Sequence, residues 1–366
     1  RFNVAKTLDI EGLIALFDKH CRDDDWREVL RLICGQIDEK FVGRIVEHLA
    51  TRTDLEKWDG ETPLPELPLA IGCLSEARSK GVLEPVGITL LDLATQIYRC
   101  GGSNIICPVL YAAKELGNQW PGGIRLRGLT ESMISSLSFA GQLYWPQFVG
   151  AICRDRNLIQ SFFDHDLSNI RWDAIIALAE HWPDESTRQL LTERAVQDKH
   201  EDPRRAALRV LAEKWPDKTT RRLLEQRAVR DEHEDPRSSA LEALADKWPD
   251  ETTRELLTDR TVQDEHKDPR STALRTLAEK WPDETTRKLL TERAVQDKNG
   301  SPRSTALRTL AEKWPDETTR RLLTERAVQD DHKYPRSTAL EALAEHWPDE
   351  TTRQLLTDRA VQDEDG

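Results

Sequence analysis

Apolar residues recur at helical intervals through most of the chain, and residues 202–231 show the pattern most plainly. In the first half of this segment the apolar positions fall at i, i+1, i+4, i+5 and i+8, so they share one face of a helix. These positions are Ala207, Leu208, Leu211, Ala212 and Trp215. The segment shows no alternation of the β type, so the pattern predicts helices alone.

Capping residues divide this segment into two helices. Asp202 is predicted to be the N-cap and Pro203 the first residue of the first helix, because the carboxylate accepts an orphan N–H and Pro has none to lose. Pro216 is expected to end this helix, and Asp217 to cap a second helix that closes at Asp231. The apolar residues of the second helix are Leu223, Leu224, Ala228 and Val229.

The helix pair repeats every 33 residues. The pair Trp-Pro begins at 182, 215, 248, 281, 314 and 347, and the Thr-Arg and Pro-Arg pairs keep the same interval. One helix pair is too small to bury its own apolar face, so the copies are expected to stack side by side. The pattern therefore predicts an all-α protein in which residues 166–366 form an α-solenoid of six helix-turn-helix repeats.

Residues 1–165 are predicted to be an irregular all-helical region that precedes the regular repeats. The apolar spacing predicts helices at about 69–79, 86–99, 105–116 and 129–144. The pair Trp145-Pro146 is interpreted as a divergent copy of the repeat turn, because it lies 37 residues before Trp182-Pro183. The boundary between the two regions is placed near residue 165.

The 33-residue unit resembles a HEAT repeat. The resemblance rests on Pro-Arg-x-x-Ala-Leu-x-x-Leu-Ala in the first helix and on the Asp that closes the second helix. It implies a structural ladder of Arg and Asp side chains, a role that suits the planar fork of Arg. The arginines are Arg204, Arg237, Arg270, Arg303 and Arg336, and the aspartates are Asp198, Asp231, Asp264, Asp297 and Asp330.

The tryptophans of the repeat are predicted to be structural. Their place at the end of the apolar stripe favours filling the gap between units, and the alternative is a stacking surface for bases or sugars. These residues are Trp182, Trp215, Trp248, Trp281, Trp314 and Trp347.

A second resemblance covers most of the remaining chain. The runs 25–33 (DWREVLRLI), 41–46 (FVGRIV) and 69–76 (LAIGCLSE) resemble the helical segment that follows the NACHT module in bacterial STAND-type NTPases. The Trp-Pro-Asp-Glu-Thr-Thr-Arg repeats are similar to arrays that end cyanobacterial members of that group. The resemblance implies a signalling protein, in some relatives antiviral, whose repeats sense a ligand or contact an upstream NTPase module.

Composition narrows the classes of function. The net charge is −13, which argues against nucleic acid as a partner, because such proteins usually present a basic face. Residues 1–165 hold 18 basic and 22 acidic residues, and residues 166–366 hold 35 and 44, so the charge concentrates in the repeats. No membrane span or signal peptide is present, and the six cysteines suit a reducing cytoplasm. The chain begins without Met, so we expect it to be a fragment.

No motif predicts catalysis or a cofactor. The chain lacks G-x-x-x-x-G-K-[ST], H-E-x-x-H, G-x-S-x-G and EF-hand spacing. His200, His233, His266 and His332 recur with the repeat, which would separate them too widely for one coordination sphere. We therefore expect no enzyme activity, no cofactor and no metal site.

Variation between copies indicates a candidate partner-binding surface. One position after Thr-Arg changes from copy to copy while the apolar positions stay fixed: Gln189, Arg222, Glu255, Lys288, Arg321 and Gln354. Exposed positions on successive second helices could line the concave face of a solenoid, where partners usually bind. The alternative is neutral variation on a tolerant surface.

Three classes of function remain. The favoured hypothesis is the non-catalytic regulatory or ligand-sensing solenoid of a NACHT/STAND-type NTPase, with a protein or peptide ligand. The second is a free-standing scaffold or adaptor that binds a protein or peptide. The third is an enzyme built on HEAT-like repeats, such as a DNA glycosylase or a bilin lyase, and the absent catalytic motif argues against it.

Overall fold

A computed structural model describes residues 9–53, 55, 58–59, 62–128 and 133–362 of the chain. Within these residues the regular secondary structure is helical, without β-strands, so the predicted all-α solenoid is confirmed. The chain divides into two compact units, Arg1–Leu190 (unit 1) and Leu191–Gly366 (unit 2), and each is described by itself. The boundary near residue 165, which marks the start of the regular repeats, stays a prediction.

Unit 1 contains nine described α-helices joined by short turns. They are α1 (Ile10–His20), α2 (Asp24–Cys34), α3 (Glu39–Arg52), α4 (Glu66–Glu76), α5 (Glu84–Cys100), α6 (Ser103–Leu116), α7 (Phe139–Cys153), α8 (Arg156–Ser161) and α9 (Ser168–His181). Four 3₁₀ turns lie between them: Gly81–Leu83, Gly117–Gln119, Gly123–Gly128 and Phe162–Asp164. Helices α2, α4, α6, α7 and α9 pack side by side in that order.

The interpretation of Trp145-Pro146 as a divergent turn was wrong. Both residues lie inside α7, which also replaces the helix predicted at 129–144; residues 129–132 lie outside the described part of the chain. Trp145 is fully buried against Tyr98 and Phe148, and this packing holds the helix together across the proline. A proline inside a helix interrupts the backbone hydrogen bonds, so a neighbouring helix must satisfy the groups that it frees.

A buried carboxyl group from α9 meets α7 at this interruption. The backbone N–H of Gln147 donates to Asp173 at 2.9 Å, and the Gln147 side-chain amide donates to the other carboxyl oxygen. Lys114 of α6 donates to Gln147 Oε1 at 2.7 Å and pairs with Glu180 at 2.7 Å. Burial raises the pKa of Asp173 to about 8, against the opposing effect of the two hydrogen bonds from Gln147. This polar chain ties three neighbouring helices together.

Unit 2 contains the regular helix pairs, and the division between the units falls within α10 (Glu185–Gln197). The helices that follow are α11 (Glu201–Lys214), α12 (Lys218–Arg230), α13 (Glu234–Lys247), α14 (Glu251–Gln263), α15 (Lys267–Lys280), α16 (Glu284–Gln296), α17 (Gly300–Lys313), α18 (Glu317–Gln329), α19 (Lys333–His346) and α20 (Glu350–Gln362). Odd-numbered helices are the first helices of their repeats, and even-numbered ones are the second helices.

The first helices form the central row of unit 2. Helices α11, α13, α15, α17 and α19 pack side by side, and each second helix from α12 to α18 packs on the first helix of the next repeat. Small residues such as Ala273 and Ala306 permit this close approach, and both are fully buried. Leu274, Leu290 and Leu307 belong to one buried cluster, so the apolar core is continuous from repeat to repeat.

The turns follow the repeat closely, although two predicted positions differ. Asp217 caps α12 as predicted and accepts from the N–H groups of Thr219 and Thr220 at 2.9 and 3.0 Å. Asp202 and Pro203 are the second and third residues of α11, not its N-cap and first residue, because His200 takes the N-cap and accepts from Asp202 N at 3.3 Å.

Each repeat tryptophan lies one residue beyond its first helix, as the C-cap, and is partly buried. The carbonyl of Trp215 accepts from Asp217 N at 2.9 Å, which closes a three-residue turn around Pro216. Trp314 and Trp347 pack against the buried leucine cluster. These tryptophans therefore join the helix turn to the edge of the core.

The first helices α11, α13, α15 and α17 each contain a buried arginine. In the best-formed cases this arginine connects two consecutive links, the short segments between a second helix and the next first helix. Arg270 Nε and Nη2 donate to both carboxyl oxygens of Asp297 at 2.9 and 2.8 Å, and Nη1 donates to the carbonyl of Asp264 at 2.8 Å. Arg204 makes the same bonds to Asp231 and to the Asp198 carbonyl. The side chains are almost inaccessible: Arg270 is 1% and Asp297 4% exposed.

The other arginine contacts of the ladder vary in geometry. Arg303 donates to Asp330 at 2.7 Å, whereas Arg237 approaches Asp264 only to 3.6 Å. Arg336, in the last repeat, donates to the Asp330 carbonyl at 3.0 Å. Burial favours the neutral form of Asp231, but the bonds from Arg204, His233 N and Arg227 outweigh it and lower the pKa of Asp231. The Asp231 carboxylate is therefore held ionised inside the array.

A second set of ion pairs, which the sequence analysis missed, joins neighbouring second helices. Arg221 donates to both carboxyl oxygens of Asp250 at 2.6 and 2.9 Å, and Asp250 also caps α14. The same contact recurs at 2.6 Å in Arg254–Asp283 and Arg287–Asp316. In unit 1 the equivalent bond from Arg156 lowers the pKa of Asp184 to about 2. These pairs lie at the surface, so solvent screens them.

We expect the buried pair Arg270–Asp297 to contribute far more to stability than the surface pairs. Asp297→Ala leaves the Arg270 charge buried without its partner, so the free energy of unfolding should fall by about 3 kcal/mol or more. The measurement is urea unfolding followed by circular dichroism, analysed as coupled repeats.

Arg254→Ala is the control, because it removes one of the surface ion pairs between neighbouring second helices of the same array. It should lower the free energy of unfolding by less than about 1 kcal/mol. Equal losses for Asp297→Ala and Arg254→Ala would contradict a dominant role for the buried pair.

The buried Asp173 should make the stability of unit 1 depend on pH. Its folded pKa is raised to about 8, so between about pH 4 and pH 8 the folded protein keeps a proton that the unfolded chain releases. Stability should therefore fall as the pH rises through this range. Asp173→Asn should remove this slope, whatever its effect on absolute stability, whereas the exposed Glu185→Gln should leave it intact. An unchanged slope in Asp173→Asn would show that another group titrates.

Candidate interaction surface

The six residues predicted to bind a partner are all exposed on the second helices. Gln189 lies in unit 1, and the other five lie in unit 2 on α12, α14, α16, α18 and α20: Arg222, Glu255, Lys288, Arg321 and Gln354. Each residue lies on a different helix, so the six are related by their position in the repeat and not by mutual contact. They share a position, on the side of the second helix opposite its buried face.

Surface ion pairs place these positions in a row. Arg221 reaches Asp250 on the next second helix, and Arg254 and Arg287 continue the series. Because each arginine directly precedes a candidate residue, Arg222, Glu255 and Lys288 lie on successive neighbouring helices. The structure therefore brings the candidate residues of unit 2 together as one strip along the array.

An exposed valine lies seven positions after each of the first five candidate residues, on the same helix. Seven residues are two helical turns, so Lys288 and Val295 lie on the same side of α16. The valines are between 38% and 54% exposed: Val196, Val229, Val262, Val295 and Val328. Val229, one of the apolar residues of the second helix, is exposed, whereas its neighbour Ala228 is buried.

A groove lies beside this strip between α16 and α18. It has a volume of about 560 Å³, and Lys288, Thr291, Val295 and Thr318 line it. Its walls combine an apolar side chain and hydroxyl groups with two cations, Arg287 and Lys288, and two carboxylates, Glu284 and Glu292. Such a groove can hold an apolar side chain at its base and a polar backbone along its rim.

The strip is predominantly acidic from α14 onward. Each second helix from α14 to α20 has more exposed acidic than basic side chains. On α14 the acidic residues are Glu251, Glu255 and Asp259, and α16 carries Glu284 and Glu292 against Lys288. The most exposed charged side chains beside the valines are therefore mostly carboxylates, while partly exposed arginines such as Arg287 and Arg293 lie closer to the core. Exposed carboxylates favour a basic partner.

Sequence reasoning could have found this strip from helical geometry alone. A residue one position after a buried alanine is turned by 100° from the core, and a residue seven positions after an exposed one is on the exposed side. The periodic ion pair was also visible, because each Arg of Thr-Arg from Arg188 to Arg320 is followed 29 positions later by the Asp of Trp-Pro-Asp.

The described residues offer no support for a metal site or a membrane span. Among the residues that the structure describes, no group of three or more His, Cys, Asp or Glu side chains could hold a metal ion. Repeat histidines instead occupy N-cap positions beside carboxylates; His266 Nδ1, for example, lies 3.4 Å from Glu234. In the same described part of the chain, no helix has the length and apolar character that a membrane span requires.

Comparison with known proteins identifies the repeat. No curated protein matches the chain. A family model of HEAT repeats matches three overlapping segments, 156–245, 221–311 and 254–344. The matches together run from residue 156 to residue 344, more than half of the chain, so the protein belongs to the HEAT-repeat family.

Proposed function

We propose that this protein is a non-catalytic scaffold whose second-helix strip binds a segment of a partner protein. HEAT repeats commonly mediate protein interactions, and arrays of this kind offer long continuous surfaces. The observation that carries the proposal is the row of half-exposed valines in unit 2, one on each second helix from α10 to α18. Scattered exposed apolar residues are ordinary, but a row kept at one repeat position defines a surface.

The spacing of the valines favours an extended partner. Stacked helices are on the order of 10 Å apart, so successive valines are separated by about that distance. A polyproline II segment advances about 9 Å in three residues and places every third side chain on one face. A segment with an apolar residue at every third position therefore matches the row.

Charge complementarity predicts which residues lie between the apolar residues of the partner segment. The helices α14 to α20 carry an excess of exposed carboxylates around the valines. A bound segment with Lys or Arg between its apolar residues would neutralise them and associate faster at low salt. We therefore propose a basic, apolar-anchored segment as the ligand of the strip.

We also propose that the scaffold is the regulatory part of a cytoplasmic NACHT/STAND-type NTPase, in which it contacts an upstream NTPase module. The support is the resemblance of runs 25–33, 41–46 and 69–76 to the segment that follows a NACHT module, together with the repeat array. A role in antiviral defence would follow from that origin. The native gene tests this: a P-loop encoded upstream of residue 1 is expected, and a start codon directly before it would favour a free-standing adaptor.

Replacing three valines should abolish partner binding without unfolding the repeats. The variant Val262→Asp/Val295→Asp/Val328→Asp changes only half-exposed side chains. A labelled peptide of about 15 residues with the repeated sequence Val-Pro-Lys is the probe, since proline favours the polyproline II conformation. Fluorescence anisotropy should show saturable binding to the wild-type protein and at least about tenfold weaker binding to the variant.

Two controls separate specific docking from charge attraction. A peptide of the same composition with its valines clustered should bind at least about tenfold more weakly than the regular one. Glu312→Lys, on a first helix, should leave the affinity unchanged. Equal binding of both peptides, or an unaffected triple variant, would overturn the proposed docking strip.

A further inference from the structure

A second cleft opens in unit 2 at the beginning of the first helices. It has a volume of about 520 Å³ and lies between the N-terminal ends of α15, α17 and α19. Hydroxyl groups from Ser301, Ser304 and Thr305 line it together with the ring of Tyr334. The Oγ atom of Ser304 is inaccessible to solvent and has no hydrogen-bond partner in the described part of the chain.

The cleft lies where the repeat departs from its own pattern. Three earlier repeats carry an aspartate two residues after the histidine of the link, at Asp202, Asp235 and Asp268. The next two repeats replace this aspartate by Ser301 and Tyr334. In addition, Asn299 replaces the histidine, and Gly300 replaces the Glu or Lys of other copies. All four departures line the same cleft.

These departures leave an unusual charge distribution. The charged or chargeable side chains that line the cleft are Lys267, Arg308 and His332, and none of the lining residues is acidic. None of the three forms an ion pair with a residue that the structure describes, whereas the equivalent Arg275 pairs with Glu242 and Glu279. A cationic cleft in a chain of net charge −13 concentrates positive charge at one place.

The shape of the cleft follows from the glycine and the tyrosine. A Cβ atom at Gly300 would lie 3.3 Å from His332 Cβ, so the glycine lets the two links approach closely. Tyr334 is 67% exposed, and Lys333 Nζ lies 5.8 Å from its ring centroid. The cleft thus offers an accessible aromatic ring beside cations and hydroxyl groups.

We propose that this cleft binds a small phosphorylated ligand that carries a planar ring. Arg308 and Lys267 would neutralise the phosphate, and the hydroxyl groups of Ser301 and Thr305 would donate to its remaining oxygens. The planar ring would stack on Tyr334. The cleft shares no lining residue with the groove beside the valine strip and does not depend on the proposed partner, and it goes beyond the expectation of a protein or peptide ligand.

Binding of two ring-bearing phosphates to the full chain tests the proposal. The probes are AMP and phenyl phosphate, which distinguish a nucleotide from a phosphorylated aromatic group. Adenosine, which lacks the phosphate, and inorganic phosphate, which lacks the ring, are the half-ligands. Isothermal titration calorimetry should show saturable binding of at least one probe, about tenfold tighter than either half-ligand. Arg308→Gln should weaken this binding by about tenfold or more, because a hydrogen-bonded charge pair is lost.

The repeat provides variants that should fold normally. Ser301→Asp/Tyr334→Asp restores the aspartate that three other copies carry, so helicity and melting temperature should be retained while binding is lost. Arg209→Gln changes the equivalent arginine three repeats away and should bind like the wild type. The proposal is overturned if neither probe binds saturably, if the restored-aspartate variant binds like the wild type, or if Arg209→Gln weakens binding as much as Arg308→Gln.

Discussion

The structure of the repeats depends on a buried arginine that reaches two links at once. Arg270 bonds to the Asp264 carbonyl before its helix and to the Asp297 carboxylate after it, so one side chain fixes three consecutive segments. A buried ion pair is costly to desolvate and costs more still when one partner is removed. The buried pair therefore fixes how consecutive repeats are aligned, in addition to stabilising the fold. The 33-residue period is the number of residues after which the same arginine contacts can form again.

This arrangement leaves the outer surfaces free to vary. The leucines, the buried arginine and the capping aspartates satisfy the internal demands of every repeat, so the strip around Lys288 and the link around Tyr334 are not needed for stacking. In the strip the repeat is kept, and successive valines form a long surface for an extended partner. At the beginning of α17 and α19, four residues differ from the repeat pattern, and together they line one local cleft. Periodicity and its interruption thus support two different kinds of recognition.

The sequence predicted the solenoid, its helices and the capping role of Asp217 because these depend on local spacing and a repeated pattern. It did not predict where Pro146 lies, because a Trp-Pro pair ends a helix in the repeats but is held inside α7 by the aromatic packing of Trp145 and the carboxyl of Asp173. It identified exposed positions such as Lys288 but not the exposure of Val229, because the apolar residues of the second helix were not divided between its buried and its exposed side. The cleft at Tyr334 required three helices to be placed in space.

Deletion of one repeat tests most directly whether the period is set by this geometry. Removing residues 241–273, one full period of 33, joins Ala240 to Leu274 and preserves every internal contact type. Removing residues 241–271 instead leaves two extra residues in one helix and turns its C-terminal part by about 200°. The in-register deletion should unfold cooperatively within about 5 °C of the full chain, and the other should melt at a clearly lower temperature with less helix. Identical melting of the two deletions would contradict the account.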